Sequence, residues 1–191
     1  MPNQGSSTKD RIADAVKALA VRKSFHKITI NDIAKECGMT RENFYYHFRD
    51  KYDIVNWICL REILDPVSGV EDLTLWMKAL MLRANAGRHI FVRVINDEGR
   101  DVVRDIFYPA VEEKIRGAVD AALAPAARSA KKEKRDLAAA FFTNAFIDFL
   151  IRNAIEKSIP DPDRFEENFE FLICNYLPFV RIQKENVTEQ G

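Results

Sequence analysis

Several residue types are scarce in this chain of 191 residues, and the scarcity excludes whole classes of protein. The three cysteines, Cys37, Cys59 and Cys174, are odd in number and form no CxxC pair. They therefore offer neither a disulfide framework nor the spacing of a zinc site. Seven glycines and seven prolines supply too few chain breakers for a domain of many strands. No apolar run reaches the length of a membrane span, and no apolar signal stretch opens the chain, so we expect a cytoplasmic protein with reduced thiols and no membrane contact.

Motifs of catalysis are also missing from the sequence. There is no glycine-rich phosphate loop, no GxSxG and no HExxH. The histidines His26, His47 and His89 are scattered without metal-binding spacing, and neighbouring carboxylates are typical of solvated helix faces. We therefore predict that the protein is not an enzyme and has no catalytic residue, no metal site and no cofactor.

The net charge of zero hides an asymmetry along the chain. Residues 1–61 carry 11 Lys and Arg against 7 Asp and Glu, whereas the remainder carries 18 against 22. A basic N-terminal third and an acidic remainder suggest that one end alone faces a polyanion. The difference is modest and by itself identifies no partner.

What the chain has in abundance is helical periodicity, which predicts an all-α fold. Apolar residues recur three and four positions apart throughout. The predicted helices cover about residues 8–23, 29–37, 40–48, 51–64, 70–86, 88–97, 100–123, 131–157 and 162–180. We predict an N-terminal domain of three helices at residues 1–50 and a larger helical domain at residues 51–191.

Two consecutive helices near the N-terminus begin with the same signals. Thr29 is placed to cap a helix with Asp32 at its third position, and Gly38 follows where a left-handed residue ends a helix. Thr40 is then placed to cap the next helix, whose Phe44 lies on the inner face. Helix, short turn with glycine and second helix together predict a helix-turn-helix.

The second helix of such a motif lies in the major groove, with its N-terminal residues nearest the bases. Arg41 matches guanine O6 and N7, and Asn43 matches adenine N6 and N7. For Glu42 three possibilities stay open, namely accepting from cytosine N4, pairing with Arg41, or turning away from the DNA. Four further side chains are predicted to reach phosphates or thymine methyls, with ordinary surface or core positions as the alternative: Tyr45, Tyr46, His47 and Lys51.

The residues 28–40 and 44–51, ITINDIAKECGMT and FYYHFRDK, resemble the DNA-binding region of TetR-family transcriptional regulators. Within that family, the segment FYYHFRDKYDIVNWI is similar to the subgroup related to regulators of dihydroxyacetone kinase operons. The resemblance covers about residues 8–55. Family members usually have small residues where this chain has Glu42 and Asn43, which affects the expected operator sequence and not the fold.

The resemblance implies an all-α homodimer that binds a palindromic operator in double-stranded DNA and usually represses transcription until an effector binds. Residues 1–50 would then be the DNA-binding domain, and residues 51–191 the domain for effector binding and dimerisation. Arg41, Glu42 and Asn43 would face bases. Tyr45, His47 and Lys51, together with Thr29, would contact the DNA backbone. Thr40, at the start of the second helix, is also a predicted DNA-binding residue. The alternative function is a partner-dependent activator, or a protein-interaction module built on the same fold, and the effector would be a small molecule or a protein.

The C-terminal part contains a segment, residues 137–151, that is apolar on nearly all sides. Such a helix is buried on more than one face, which indicates either a dimer interface or the core of one protomer. The predicted interface residues are Phe141, Phe142, Phe146, Phe149, Phe165, Phe169 and Ile173. The residues predicted to line an effector pocket, with a plain core role as the alternative, are Trp76, Asn85, His89, Phe91, Phe107 and Tyr108.

Overall fold

A computed structural model describes residues 7–122 and 132–156 together with positions 164, 167, 168 and 171. These residues form helices joined by short connections, with no strand among them, which confirms the predicted all-α class. Its helices are α1 (Thr8–Arg22), α2 (Ile30–Cys37), α3 (Arg41–His47), α4 (Lys51–Ile58), α5 (Leu73–Ala86), α6 (Arg88–Glu98), α7 (Arg100–Ala122) and α8 (Lys132–Glu156). The predicted helix at about 162–180 lies outside the described residues.

The helix starts follow from local capping chemistry. Ser7 and Asp10 form a capping box at α1, and Thr29 and Asp32 form another at α2. In each box a hydroxyl accepts from the third backbone N–H of the helix while the carboxylate accepts from the capping residue's own N–H. The prediction of the second box from sequence is confirmed.

The helix predicted over 51–64 is helical over its whole length, but its hydrogen-bond pattern changes along the way. Helix α4 ends at Ile58 and is followed by a π-helical segment, Cys59–Leu64, and a 3-10 turn, Asp65–Val67. A π segment closes its hydrogen bonds five residues apart, so it has a wider turn than an α-helix. Cys59, Ile63 and Leu64 are all buried in this arrangement.

The contacts group the chain into two compact units. The first comprises Met1–Pro66 with Ala86–Ile106, and the second comprises Val67–Asn85 with Phe107–Gly191. The first unit thus holds α1 to α4 and α6, because α1 packs against both α4 and α6. This grouping differs from the division at residue 50 predicted from sequence, which separated the DNA-binding segment from everything after it.

The core of the first unit consists of apolar side chains from all of its helices. Ile12 and Val16 of α1, Ile33 of α2, Phe44 of α3 and Ile54 of α4 are completely or almost completely buried. Burying a side chain of this size stabilises the fold by roughly 1.5–3 kcal/mol. These residues hold the second and third helices in a fixed orientation, which is what a DNA-reading surface needs.

Candidate nucleic-acid interface

The connection between α2 and α3 has the geometry of a helix-turn-helix. Gly38 is left-handed, with φ 64°, and its N–H closes the last turn of α2. Thr40 then caps α3, its hydroxyl accepting from Asn43 N at 3.2 Å. Phe44 and Phe48 are buried and pack their rings 6.4 Å apart, which fixes α3 on the core. The left-handed glycine, the second cap and the two inward phenylalanines were all predicted from sequence and are confirmed.

Helix α3 exposes the residues that were predicted to face DNA. Arg41, Glu42 and Asn43 are exposed at its N-terminal end. Tyr46 is 85% exposed and Tyr45 is 46% exposed, while His47 is half-buried against the Tyr46 ring. The predicted core alternative for Tyr45 therefore applies only to part of its ring.

Both threonines of the predicted interface are exposed, and both already have structural partners. Thr29 Oγ1 donates to Asp32 Oδ2 at 2.6 Å, and the Asp32 N–H donates back to Thr29 Oγ1 at 3.2 Å. Asp32 also pairs with Lys23, Nζ to Oδ2 at 2.6 Å. The hydrogen bonds from Lys23 and Thr29 lower the pKa of Asp32, so the carboxylate stays ionised and keeps the N-terminus of α2 in place.

Glu42 interacts with the beginning of its own helix, and the three possibilities for its role at DNA stay predictions. Hydrogen bonds from its own backbone N–H and from the Thr40 hydroxyl lower the pKa of its carboxyl. The unpaired N–H groups at the beginning of α3 also favour a negative charge there, so the Glu42 carboxylate stabilises this end of the helix.

Arg41 is directed toward the residue one turn further along. Its Nη2 donates to the hydroxyl of Tyr45 at 3.0 Å, and the guanidinium carbon lies 5.5 Å from the centre of the Tyr45 ring. The ring of Tyr45 in turn packs edge-on against the buried Phe44, with centroids 5.5 Å apart. Sequence analysis did not predict this pair, and its spacing of four residues was the one available signal.

Lys51 has partners that the sequence analysis did not foresee. Its Nζ donates to the carbonyl oxygens of Phe25 at 2.9 Å and His26 at 3.1 Å. It also lies 4.7 Å from the centre of the Phe25 ring and 3.6 Å from Glu98 Oε1. The Lys51 side chain is only 14% exposed. In this structure the ammonium is bonded to the loop before α2 and does not extend into solvent, so these contacts do not support the phosphate contact predicted from sequence.

The C-terminal end of α6 supplies a pair of carboxylates to the same loop. Asp97 Oδ2 accepts from Ser24 Oγ at 2.8 Å and from the Phe25 N–H at 2.5 Å. Burial by itself would raise the pKa of Asp97, but the hydrogen bonds from Ser24, Phe25 and His26 lower it. Glu98 lies beside His26 Nδ1, at 3.4 Å, and beside Lys51. We call Asp97 and Glu98 the carboxylate pair.

Glu98 also influences the first turn of α4. Burial and a hydrogen bond with Glu98 raise the pKa of Tyr52 to about 12, so the phenol stays protonated. Burial alone would raise the pKa of Glu98, but the contacts with Tyr52, Lys51 and His26 lower it. Because these contacts converge at the start of α4, they fix the position of the turn that follows the recognition helix.

The positive charge of this unit is distributed unevenly over its surface. Three cations are neutralised by carboxylates: Lys17 by Asp14 and Glu62, Arg22 by Glu36, and Lys23 by Asp32. In contrast, Lys27 and Lys35 are exposed and have no ion-pair partner in the described part of the chain. Lys35 shares a face of α2 with the exposed Asn31, four residues earlier. Sequence analysis missed these residues, although their polar spacing opposite the buried Ile33 was a usable signal.

The residues predicted to line an effector pocket do not fall in one unit. Trp76, Asn85, Phe107 and Tyr108 belong to the second unit, whereas His89 and Phe91 belong to the first. Trp76 and Phe107 are buried, and Phe91 is buried beside Gly87. Another buried polar group, the hydroxyl of Thr143 on α8, has no hydrogen-bond partner among the described residues. Nothing in the sequence around Thr143 distinguished it from its apolar neighbours. In the described ranges, no group of His, Cys, Asp and Glu side chains is arranged to hold a metal ion.

Helix α8 carries an exposed apolar stripe and a buried side. Leu137, Phe141 and Phe149 are exposed, Phe141 to 67%, and Phe142 is half-buried. Phe146 is instead 5% exposed and packs against Trp76, with ring centroids 6.4 Å apart. The prediction of Phe146 as an interface residue is corrected accordingly, because its ring belongs to the core of its own unit. The predicted interface residues Phe165, Phe169 and Ile173 lie outside the described residues.

By length and composition alone, α8 is also long and apolar enough to cross a membrane, and it is the one such helix in the described part of the chain. Core helices of globular proteins satisfy the same criteria. The contact of Phe146 with Trp76 shows that α8 contributes to a packed core. The expected absence of membrane contact stays a prediction.

Part of the sequence is similar to known bacterial regulatory proteins. A family model described as bacterial regulatory proteins, tetR family, matches residues 12–58. The HTH-type dhaKLM operon transcriptional activator DhaS of Lactococcus lactis subsp. lactis (strain IL1403) is 27% identical over 75 residues, which cover 39% of this chain and 40% of that relative. The matched segment therefore spans well under half of the relative's length.

Two solved structures resemble the chain over most of its length. The dihydroxyacetone kinase operon activator DhaS gives a TM-score of 0.64 at 14% identity, covering 92% of this chain and 97% of that one. The fatty acid degradation regulator FadR from Bacillus halodurans gives a TM-score of 0.55 at 14% identity, covering 90% and 96%. At these identities the likeness shows a shared fold.

Proposed function

Residues 12–58 of this chain belong to the tetR family of bacterial regulatory proteins, and on that premise we propose that the protein is a cytoplasmic transcriptional regulator that binds a palindromic operator as a homodimer. The observation that carries the proposal is the exposure of Arg41, Asn43 and Tyr46 on a short helix that Phe44 and Phe48 anchor to the core. Side chains of these types read base edges and contact phosphates in a major groove.

The proposed DNA-binding surface comprises exposed side chains along α3, the capping threonines of α2 and α3, and two exposed lysines before and on α2. Arg41 and Asn43 read bases, whereas Tyr46, His47, Thr29 and Thr40 contact the backbone. Lys27 and Lys35 join the backbone contacts, because they are exposed cations without an ion-pair partner among the described residues. Lys51 supports the surface from behind through the loop before α2 and is not one of its phosphate ligands.

A homodimer follows from the exposed stripe on α8 and from the geometry of operators. Leu137, Phe141 and Phe149 are large apolar side chains that water does not favour, and a second copy of the chain covers them in the proposed dimer. Two recognition helices about 34 Å apart then read two half-sites related by a twofold axis. The effector, a small molecule or a protein, acts through the second unit, with Trp76, Asn85, Phe107, Tyr108 and Thr143 as the residues to test first.

The sign of regulation has two candidates. The tetR-family resemblance favours a repressor that an effector releases. The relative from Lactococcus lactis is described as a transcriptional activator, which favours activation. A reporter gene placed behind the selected operator distinguishes them, because expression falls when a repressor is present and rises when an activator is present.

The test of the proposal is selection of random duplex DNA by the purified protein, followed by sequencing of the bound pool. A palindromic motif with half-sites about one helical turn apart is expected. The salt dependence of binding to the selected duplex supplies the second readout, since several phosphate contacts make affinity fall steeply as salt rises. Absence of enrichment together with a flat salt response would favour a protein-interaction module on the same fold. Measured catalytic turnover would support the alternative that the protein is an enzyme.

A further inference from the structure

The guanidinium of Arg41 is connected to the protein core through a chain of side-chain contacts. Phe44 is fully buried, and the ring of Tyr45 packs edge-on against it at 5.5 Å. The hydroxyl of Tyr45 accepts from Arg41 Nη2 at 3.0 Å, and the guanidinium lies 5.5 Å from the Tyr45 ring centre. The guanidinium of an exposed arginine is therefore held by two kinds of contact, a hydrogen bond and an attraction to the ring.

Arg41 retains the capacity to read a base in this arrangement. An arginine has five N–H donors in a planar fork, and the Tyr45 hydroxyl uses one of them. The two parallel donors that a guanine O6 and N7 require therefore stay available. A guanidinium that is oriented before binding also loses less rotational freedom when it meets the base, which favours specific contact.

The neighbouring acidic residue does not compete for Arg41. The carboxylate of Glu42 accepts from its own N–H and from the Thr40 hydroxyl at the start of α3. The guanidinium of Arg41 donates to the Tyr45 hydroxyl and forms no ion pair with Glu42 in the described part of the chain. Its positive charge therefore stays available for the electronegative edge of guanine.

We infer that Tyr45 is a positioning residue that orients Arg41 for bidentate contact with a guanine, so that each half-site contains one guanine whose selection depends on the Tyr45 hydroxyl. This inference rests on the proposed function. It also differs from the role that family resemblance implies for Tyr45, a direct contact with the DNA backbone. The two roles separate experimentally, because a phosphate ligand affects all sequences alike whereas a positioning residue changes the preference at one base pair.

The experiment is selection of random duplex DNA by the full-length parent and by four variants, followed by affinity measurements on duplexes that differ only at the base pair assigned to Arg41. The variants are Tyr45→Phe, Arg41→Ala, the double variant, and Tyr46→Phe as the matched loss of a hydroxyl that does not contact Arg41. Tyr45→Phe keeps the ring and removes the hydrogen bond. Far-UV circular dichroism and urea unfolding verify that each variant is folded before binding is measured.

For the parent we expect one guanine in each half-site to be preferred by between about 5-fold and 150-fold over other bases. Tyr45→Phe should reduce that preference by about 2-fold to 10-fold, the range expected for one hydrogen bond, and leave the other positions unchanged. Arg41→Ala should abolish it, and adding Tyr45→Phe to Arg41→Ala should have no further effect on base preference. Tyr46→Phe, which removes the hydroxyl of a proposed backbone ligand, should affect binding to all duplexes alike and leave the guanine preference at the parent value.

Two results would overturn the inference, and they are distinguishable. If the parent selects a palindrome but Tyr45→Phe weakens binding to every duplex equally, Tyr45 is a backbone ligand and the proposed function stands without the positioning role. If the parent enriches no sequence at all, the proposed function fails and the inference fails with it.

Discussion

Replacing Lys51 by methionine tests whether this lysine stabilises the fold or is available to bind a phosphate of DNA. Methionine keeps most of the length of the lysine side chain and removes its charge and its N–H donors. In the structure the ammonium donates to the carbonyl oxygens of Phe25 and His26 and lies over the Phe25 ring. The carbonyl of Phe25 keeps a second donor, the Ile28 N–H at 3.1 Å, whereas no other donor to the His26 carbonyl is described. The substitution also removes the nearest lysine from Glu98 Oε1, a buried oxygen without a hydrogen-bond partner among the described residues.

The expected cost can be assembled from these contacts. Hydrogen bonds that involve a charged group contribute about 1.5–3 kcal/mol, and a cation held over an aromatic ring contributes about 0.5–1 kcal/mol. Desolvation of the ammonium, which methionine avoids, offsets part of that sum. We therefore expect Lys51→Met to lower the free energy of unfolding by about 2–3 kcal/mol. For a chain of this length each kcal/mol corresponds to a fall of about 2–4 °C in Tm.

The assay is urea unfolding followed by circular dichroism at one fixed protein concentration, since dimerisation would make stability depend on concentration. The matched control is Lys27→Met, because Lys27 is an exposed lysine of the same loop without an ion-pair partner among the described residues. We expect the control to change the free energy of unfolding by less than about 0.5 kcal/mol. Equal, small changes in both variants would refute the reasoning and return Lys51 to the list of candidate phosphate ligands.

Three further predictions concern pH, backbone conformation and assembly. The lowered pKa of Asp97 means that its ionised form stabilises the fold, so its contribution is complete above about pH 5 and is lost as pH falls through the folded-state pKa. Asp97→Asn should therefore make the free energy of unfolding depend less steeply on pH between 7 and 3 than in the parent. Parallel curves for the variant and the parent would contradict this. Gly38→Ala should lower the free energy of unfolding by about 1 kcal/mol, because φ is 64° at this position although the added Cβ meets open space. Gly117→Ala on helix α7, where the Cβ also meets open space, should raise the free energy of unfolding by about 0.5–1 kcal/mol. Denaturant melts in which both variants changed stability in the same direction would be inconsistent with this assignment. Phe141→Arg should dissociate the proposed dimer in sedimentation experiments. The control Val21→Lys, which places a charge at a similarly exposed apolar position of the other unit, should leave the dimer intact. A Phe141→Arg protein that remains dimeric would show that the stripe on α8 is not the interface.

The predictions from sequence that are confirmed concern features decided within a few residues. The caps at Thr29 and Thr40 and the left-handed Gly38 depend on hydrogen bonds to backbone groups three or four positions away. The inward position of Phe44 and Phe48 depends on helical periodicity alone. Such interactions are specified by residue type and spacing, so they can be read without knowing what else packs nearby.

The predictions that the structure does not support concern side chains whose partners are distant in sequence. Lys51 meets carbonyls of residues 25 and 26, and Glu98 approaches from α6. Phe146 meets Trp76, 70 positions earlier, and is thereby removed from the apolar stripe of α8 to which its neighbours belong. A helical wheel shows on which face of the helix such a residue lies, but it does not show whether the partner of that face is in the same chain or in another copy.

By itself, the sequence determined that this protein is all-helical, that residues 28–48 form a helix-turn-helix, and which side chains stand at the tip of its second helix. Local hydrogen bonding and apolar periodicity fix these features, and both are short-range. Only the tertiary structure decided that the carboxylate pair and Lys51 secure the loop before α2 and that Phe146 packs against Trp76. Those outcomes depend on which long side chains meet when the helices pack, and many rotamers compatible with the sequence compete until packing selects one.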